Sequence, residues 1–283
     1  MKPLIRNISD TARWVATYRA QESERSDAVF RDPFARALAG ERGEQIAAAI
    51  PFMREAAWSM VTRTYLIDRI VEREVARGAD LVVNLAAGLD SRPYRMDLPA
   101  PLRWVEVDLP EILDYKESIL AGVVPRCALE RVRLDLADAG ARRALFARLG
   151  GSATRALVIS EGLLIYLTRD AVSTLARDLS SIRTFERWII DLVSPGLLTM
   201  MQKRMGTLVA QAGAPYRFAP PEGPPFFVPL GWTPIEVHSL MKNAAKLKRL
   251  SLFLRIMSLL PESSRAQGAR PWSAVCLLAN SSA

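Results

Sequence analysis

The chain predicts a doubly wound α/β protein with a mainly parallel sheet, and three observations carry that prediction. The first is LVVNLAAGLDSRPYR, residues 81 to 95, an apolar run that ends in small residues, a single glycine, Gly88, and a polar turn. A parallel strand covered on both faces needs such a run, and small residues at its carboxyl end let a ligand approach bare backbone. The second is WVEVDLP, residues 104 to 110, a strand whose alternate residues Glu106 and Asp108 point the same way. The third is the alternation of further apolar strands with helical stretches, the pattern of right-handed crossovers.

Taken in order, residues 1 to about 78 read as helical, with no strand before Leu81. Asp32 before Pro33 marks a helix start, because proline at the first helical position loses an N–H that has no partner there anyway. The next helix runs from about Arg54 to Arg77 and stops at Gly78. Strands are expected near 81–86, 103–108, 131–134, 156–160 and 187–192, with helices between them. From Ala212 to Pro234 prolines and glycines crowd together, as in APPEGPPFFVPLGW, which reads as a loop and part of a substrate lid. WSAVCLLAN supplies a last strand. The domain reading is a helical N-terminal cap over 1–78 and a Rossmann-like domain over 79–283 that carries the lid insertion at about 212–234. KLKRLSLFLRIMSLL, residues 246 to 260, is expected to pack against the sheet with its cations in water; an amphipathic helix on a partner or an anionic membrane is the alternative.

Composition narrows the class. With 283 residues, half of them hydrophobic, the chain can bury one substantial α/β core and a smaller cap. Its formal charge is +8 and its pI about 9.9. The arginines are scattered among acids, as on an ordinary solvated surface. Cys127 and Cys276 lie far apart with no secretory signal before them and read as free thiols. A soluble, cytoplasmic protein is expected.

Arg63 poses a problem of its own. Its helical neighbours Met60, Leu66, Ile67 and Ile70 form an apolar stripe, whereas Asp68, Arg69, Glu72 and Arg73 lie on the other side. A guanidinium on the apolar side needs an anion, since an unpaired buried charge costs several kcal/mol. Either a ligand carboxylate or an acid of the sheet can supply it.

Five segments follow one another over the first two thirds of the chain: SDAVFRDPFARALAG (26 to 40), NLAAGLDSRPYR, WVEVDLP with Tyr115 and Lys116 nearby, RLDLAD (133 to 138) and ISEGLLIYLT (159 to 168). In this order they resemble class I S-adenosylmethionine-dependent methyltransferases, in the leucine carboxyl methyltransferase-like branch that includes bacterial polyketide and small-molecule O-methyltransferases. The resemblance implies a seven-stranded methyltransferase sheet, S-adenosyl-L-methionine as cofactor and S-adenosyl-L-homocysteine as product. It implies that Arg63 takes the methionine carboxylate and that Ala86 and Gly88 line the methionyl path. Asp108 is the ribose candidate, with Glu106 as the alternative on the same face. Asp135 is assigned to the adenine amino group, against Asp138, which reads as a helix cap, and Leu136 covers the ring. Glu161 either touches the sulfonium end or shapes its loop. The family more often has glycine where Ala86 stands, and general methyltransferases usually have an acid where Asn84 stands.

On the substrate side Tyr166 can hydrogen-bond an acceptor oxygen, and His238, the single histidine, is the other candidate; no residue compels general-base chemistry. The function expected is transfer of a methyl group to a small molecule, a carboxylate or a phenolic natural product, with no metal, no nucleic acid and no stable membrane association. Oligomeric state is not legible. A non-catalytic binding module that keeps the fold is the reading from another class. A nicotinamide oxidoreductase is disfavoured, since its fingerprint wants three spaced glycines and NLAAGLD has one.

Overall fold

The computed structural model describes residues 8–49, 55–211, 213–260, 268 and 270–283. Among them seven strands form one sheet: β1 (Leu81–Leu85), β2 (Arg103–Asp108), β3 (Ala128–Arg133), β4 (Ala156–Ser160), β5 (Phe185–Val193), β6 (Trp232–Ser239) and β7 (Ser273–Asn280). Their order is β3-β2-β1-β4-β5-β7-β6. The first five strands pair in parallel, and β7 runs antiparallel between β5 and β6. The doubly wound, mainly parallel seven-stranded sheet expected from the sequence is therefore present.

The helices are α1 (Ile8–Ser23), α2 (Ala35–Ala49), α3 (Ala57–Ala76), α4 (Arg92–Arg95), α5 (Pro110–Ile119), α6 (Ala139–Gly150), α7 (Arg169–Ser180), α8 (Pro195–Gln211), α9 (Leu240–Lys246) and α10 (Leu252–Met257). None of the helices described is long and apolar enough to cross a membrane.

Strand periodicity of two sorts the core into two layers. Leu81, Val83 and Leu85 of β1 face a core that includes Val105, Val107, Phe146 and Trp188. Val82 faces the other way, into a layer with Trp104, Ile159 and the α3 residues Leu66, Ile67 and Ile70. Thus α3, expected within the cap, lies on the sheet itself, while α1 packs mainly on α2.

Four expectations need correction. Strand β3 begins at Ala128 rather than near 131, because its half-exposed edge position removes the apolar run that marks the other strands. Strand β6 covers residues expected as the end of the lid and carries His238 on the edge of the sheet. Of the 212–234 segment, Ala212 lies outside the described residues, and the rest is largely packed. Phe226, Phe227 and Leu230 are buried, and Trp188 sits against Phe227 and Trp232 at centroid distances of 5.4 and 5.3 Å. Residues 246–260, expected to pack against the sheet, hold the last residue of α9, a turn and α10: Lys248 takes a left-handed conformation (φ 57°), Ser251 caps α10, and α10 buries no residue.

Glu106 is settled by packing. It is fully buried, and its carboxylate receives Lys116 Nζ at 2.6 Å and Arg131 Nε at 3.0 Å, while burial pushes its pKa above the ordinary value. It is an internal strut between β2, α5 and β3, unavailable as the alternative ribose acceptor. Lys116→Met should lower unfolding stability by about 3–5 kcal/mol, since it leaves a buried carboxylate one cation short. The Glu106→Gln/Lys116→Met double variant should regain more than half of that in urea titrations. A single-variant loss below about 1 kcal/mol would contradict this reading.

Candidate functional site

Parallel register brings the carboxyl ends of β1, β2 and β3 level, with Leu85 beside Val107 and Asp108 beside Arg133. Beyond β1 the chain turns through Ala86 (φ 53°) and Gly88 (φ 50°). This left-handed conformation costs an L-residue about 1–2 kcal/mol, so Ala86 holds strain that glycine would avoid. At Gly88 a Cβ would lie 3.4 Å from the Ala12 Cβ, filling the space between the turn and α1.

The turn is tied to β2. Ala87 N–H donates to the Val107 carbonyl at 3.2 Å, and Gly88 N–H donates to Asp108 Oδ2 at 2.6 Å. Leu109 N–H donates to Asp108 Oδ1 at 2.8 Å. Burial raises the Asp108 pKa and outweighs the lowering by these two N–H bonds. Each carboxylate oxygen keeps a lone pair for a further donor. Past β3, Asp135 Oδ1 accepts from Ala137 N–H, while Asp138 accepts from Gly140 and Ala141 N–H as the cap of α6.

A cavity of about 2280 Å³ opens over these strand ends. Arg63, Ala86, Gly88 and Asp108 line it, as do Asp135, Leu136 and Glu161. All seven cofactor-side positions singled out in the sequence therefore share one space.

Within it Arg63 is half-buried and ion-paired: Nε donates to Glu161 Oε1 at 2.9 Å and Nη1 to Asp191 Oδ2 at 3.0 Å. The acid of the sheet is thus Asp191 of β5, joined by Glu161 from the loop after β4. These bonds occupy two of the five guanidinium N–H donors. Burial works against the Arg63 charge, but Asp191 and Glu161 outweigh it and raise its pKa. Gly162 takes a left-handed conformation (φ 66°) that glycine adopts without strain, and its N–H donates to Asp191 Oδ1 at 2.7 Å.

Behind Arg63 lies a larger charge network. The Arg92 side chain, 2% exposed, donates from Nε to Asp68 Oδ1 (2.7 Å) and from Nη1 to Asp90 Oδ2 (2.7 Å) and Glu161 Oε2 (2.9 Å). Arg95 doubles onto Asp68, Asn84 donates to Asp90, and Arg19 of α1 reaches Asp32 at 2.8 Å and the Leu89 carbonyl at 2.6 Å. Ser91 Oγ closes the chain of contacts by donating to Asp32 at 2.6 Å. Burial opposes the charges of Glu161 and Asp90, yet the arginines win: Glu161 is held below its ordinary pKa and Asp90 at about 2.

The two substrate-side candidates part company. Tyr166 lines the cavity and tilts against Tyr216 with centroids 5.6 Å apart, and burial raises its pKa despite a hydrogen bond to Thr11. His238 does not line the cavity; its Nε2 lies 2.8 Å from Glu236 Oε2 on the same strand. Sequence reasoning missed Asp191, Asp90 and Arg92, and read Asp32 as a helix start without its ion pair to Arg19. A lone acid inside the apolar run IIDLV was the available signal for Asp191, since unpaired acids are rarely buried. Asp90 and Arg92 pair two residues apart within LDSR, but their further partners Asp68 and Glu161 lie 24 and 69 residues from Arg92, where no local pattern points.

Comparison with known proteins gives a consistent picture. The family model described as leucine carboxyl methyltransferase matches residues 12–180. A Streptomyces coelicolor protein provisionally named an S-adenosyl-L-methionine-dependent methyltransferase is 41% identical over 175 residues, 58% of this chain and 62% of that one. The chain thus spans less than two thirds of that relative's length. A Frankia alni protein with the same provisional name is 38% identical over 219 residues, 74% of this chain and 71% of that one. In fold the chain resembles the crystal structure of a Streptomyces avermitilis protein of the DUF574 family, with a TM-score of 0.58 at 14% identity over 91% of this chain and 98% of that one. It also resembles a Thermobifida fusca structure provisionally named a methyltransferase, with a TM-score of 0.57 at 15% identity over 99% and 96%.

Because the Asp90 pKa is depressed in the folded chain from a reference near 4 to about 2, its stabilisation is complete above about pH 4 and lost as the pH falls toward 2. Asp90→Asn should cost about 3–5 kcal/mol at pH 5–7, and the gap to wild type should narrow by about 2 kcal/mol as the pH falls toward 2, followed by denaturant midpoints. A gap that stays constant across this range would refute the assigned role.

Proposed function

The chain belongs to the leucine carboxyl methyltransferase family, and from that premise we propose that it is an S-adenosyl-L-methionine-dependent O-methyltransferase of a small molecule, a carboxylate or phenolic natural product. The observation that carries the reading is the convergence of Arg63, Gly88, Asp108, Asp135 and Glu161 on one cavity at the strand ends.

The residues present fit the cofactor. The Gly88 turn leaves a space that a Cβ would fill, and the donor set offers a guanidinium for a carboxylate and carboxylates for hydroxyl and amino groups. Arg63 would hold the methionine carboxylate through the N–H groups beyond those given to Glu161 and Asp191. Asp108 would accept from the ribose hydroxyls, Asp135 from the adenine amino group, and Leu136 would cover the ring. When bound, the cofactor supplies a methyl group already activated by its sulfonium.

What remains for the chain is to align an acceptor oxygen and exclude water, and orientation of this kind contributes up to about 7–11 kcal/mol in favourable cases. Tyr166, its phenol kept protonated by burial, suits donation of a hydrogen bond to the acceptor rather than removal of its proton. The one histidine lies off the cavity. Both features favour an acceptor that ionises unaided, and a carboxylate, with a reference pKa near 4, does so whereas a phenol near 10 does not.

Calorimetry should detect S-adenosylhomocysteine binding, weakened at least tenfold in Asp108→Asn through the loss of charge-assisted hydrogen bonds. Transfer of a labelled methyl group to a panel of carboxylic acids, phenols and alcohols should yield products that release the label in mild alkali, as esters do. Absence of binding by the wild type would refute the cofactor assignment; alkali-stable label would refute the carboxylate preference.

A further inference from the structure

We propose that residues 252–260 form a docking surface for an anionic lipid bilayer, seated at the mouth of the cavity. The helical turn of α10 continues past Met257 through backbone bonds from Ser258, Leu259 and Leu260 N–H. Over this length Leu252, Phe253, Ile256, Leu259 and Leu260 recur at the spacing of one helix face, Arg255 flanks that face, and Leu254 and Ser258 mark the opposite one. The apolar face points outward: Leu252 is 74%, Phe253 70% and Leu259 83% exposed. Five large apolar side chains in one turn-by-turn stripe form a contiguous patch, unlike the scattered apolar residues of an ordinary surface.

Charge decides the occupant. Between Glu236 and Glu262 the sequence has no acid but five cations, Lys242, Lys246, Lys248, Arg249 and Arg255. Arg249 is committed to Glu22 through a bidentate pair and latches the linker to α1. Arg255 is exposed on the flank of the stripe, and Lys246 and Lys248 are exposed in the stretch of chain that leads into it. A protein partner or a second copy would have to bring its own acids to this rim, and a second copy meets it with the same cations. An anionic bilayer satisfies both requirements at once: the apolar face enters the headgroup and acyl boundary, and each basic residue near the surface raises binding about fivefold. Phe253, Leu254, Met257 and Leu260 also line the cavity, so the docked protein opens its cavity toward the lipid. Docking of this kind is peripheral and reversible, and it does not depend on which acceptor the site takes.

Sedimentation with vesicles of phosphatidylcholine containing phosphatidylglycerol tests it. The full chain should cosediment at 50 mM salt, release at 500 mM as the charges are screened, and ignore pure phosphatidylcholine. Leu252→Glu/Leu259→Glu should lower vesicle binding at least tenfold while keeping the thermal midpoint, since both side chains are solvent-exposed. No cosedimentation at low salt, or equal binding by the double variant, would overturn the proposal. So would a vesicle-free dimer in light scattering that the double variant abolishes, which would assign the face to a second copy.

Discussion

Arg92 is the constraint on which the site's geometry rests. Its guanidinium is almost fully buried and holds carboxylates from three separate places: Asp68 on α3, Asp90 in the turn after β1 and Glu161 in the loop after β4. Removing such a charge from water costs several kcal/mol, a cost recovered only when every prong of the fork is met. The arrangement is therefore all or none: helix, turn and loop must reach their positions together, or the arginine is stranded. Arg95 and Asp32 extend the same logic to Arg19 on α1.

Two consequences follow for the cavity. The turn through Ala86 and Gly88 adopts a conformation unfavourable for Ala86, and the network on its far side, with Asn84 and Arg92 both on Asp90, fixes it there. Glu161 is shared between Arg92 and Arg63, so the arginine proposed to meet the cofactor carboxylate is oriented by the same ions that fasten the helices to the sheet. Pre-orientation of this kind removes the cost of ordering a long, flexible side chain when a ligand arrives.

Much of the architecture was legible because buried parallel strands write themselves as apolar runs: β1, β2, β4, β5 and β7 all lie where such runs occur. The edges were not. Strand β3 carries Glu130, Arg131 and Arg133 among its six residues, and β6 carries Pro234 on an exposed edge, so neither has the run that full burial imposes. Around the cavity, Arg63 announced itself by standing on the apolar side of a helix, and Gly88 and Asp108 by following strands. Asp191 and Arg92 did not, because the contacts that tie them to the cavity wall, to Arg63 and to Glu161, come from 128 and 69 residues away. The exposed stripe of α10 was misjudged for the opposite reason: its amphipathic pattern was plain, but a pattern cannot say which side of the helix the protein covers.

Native-state hydrogen exchange of an Arg92→Met variant tests the central claim most directly. The account predicts that protection falls together in α1, in the 86–92 turn and in the loop at 160–162, while β5 and β7 keep their wild-type protection. Unchanged exchange in those three segments, or a uniform loss across the whole sheet, would contradict the view that one buried guanidinium holds the cavity walls in place.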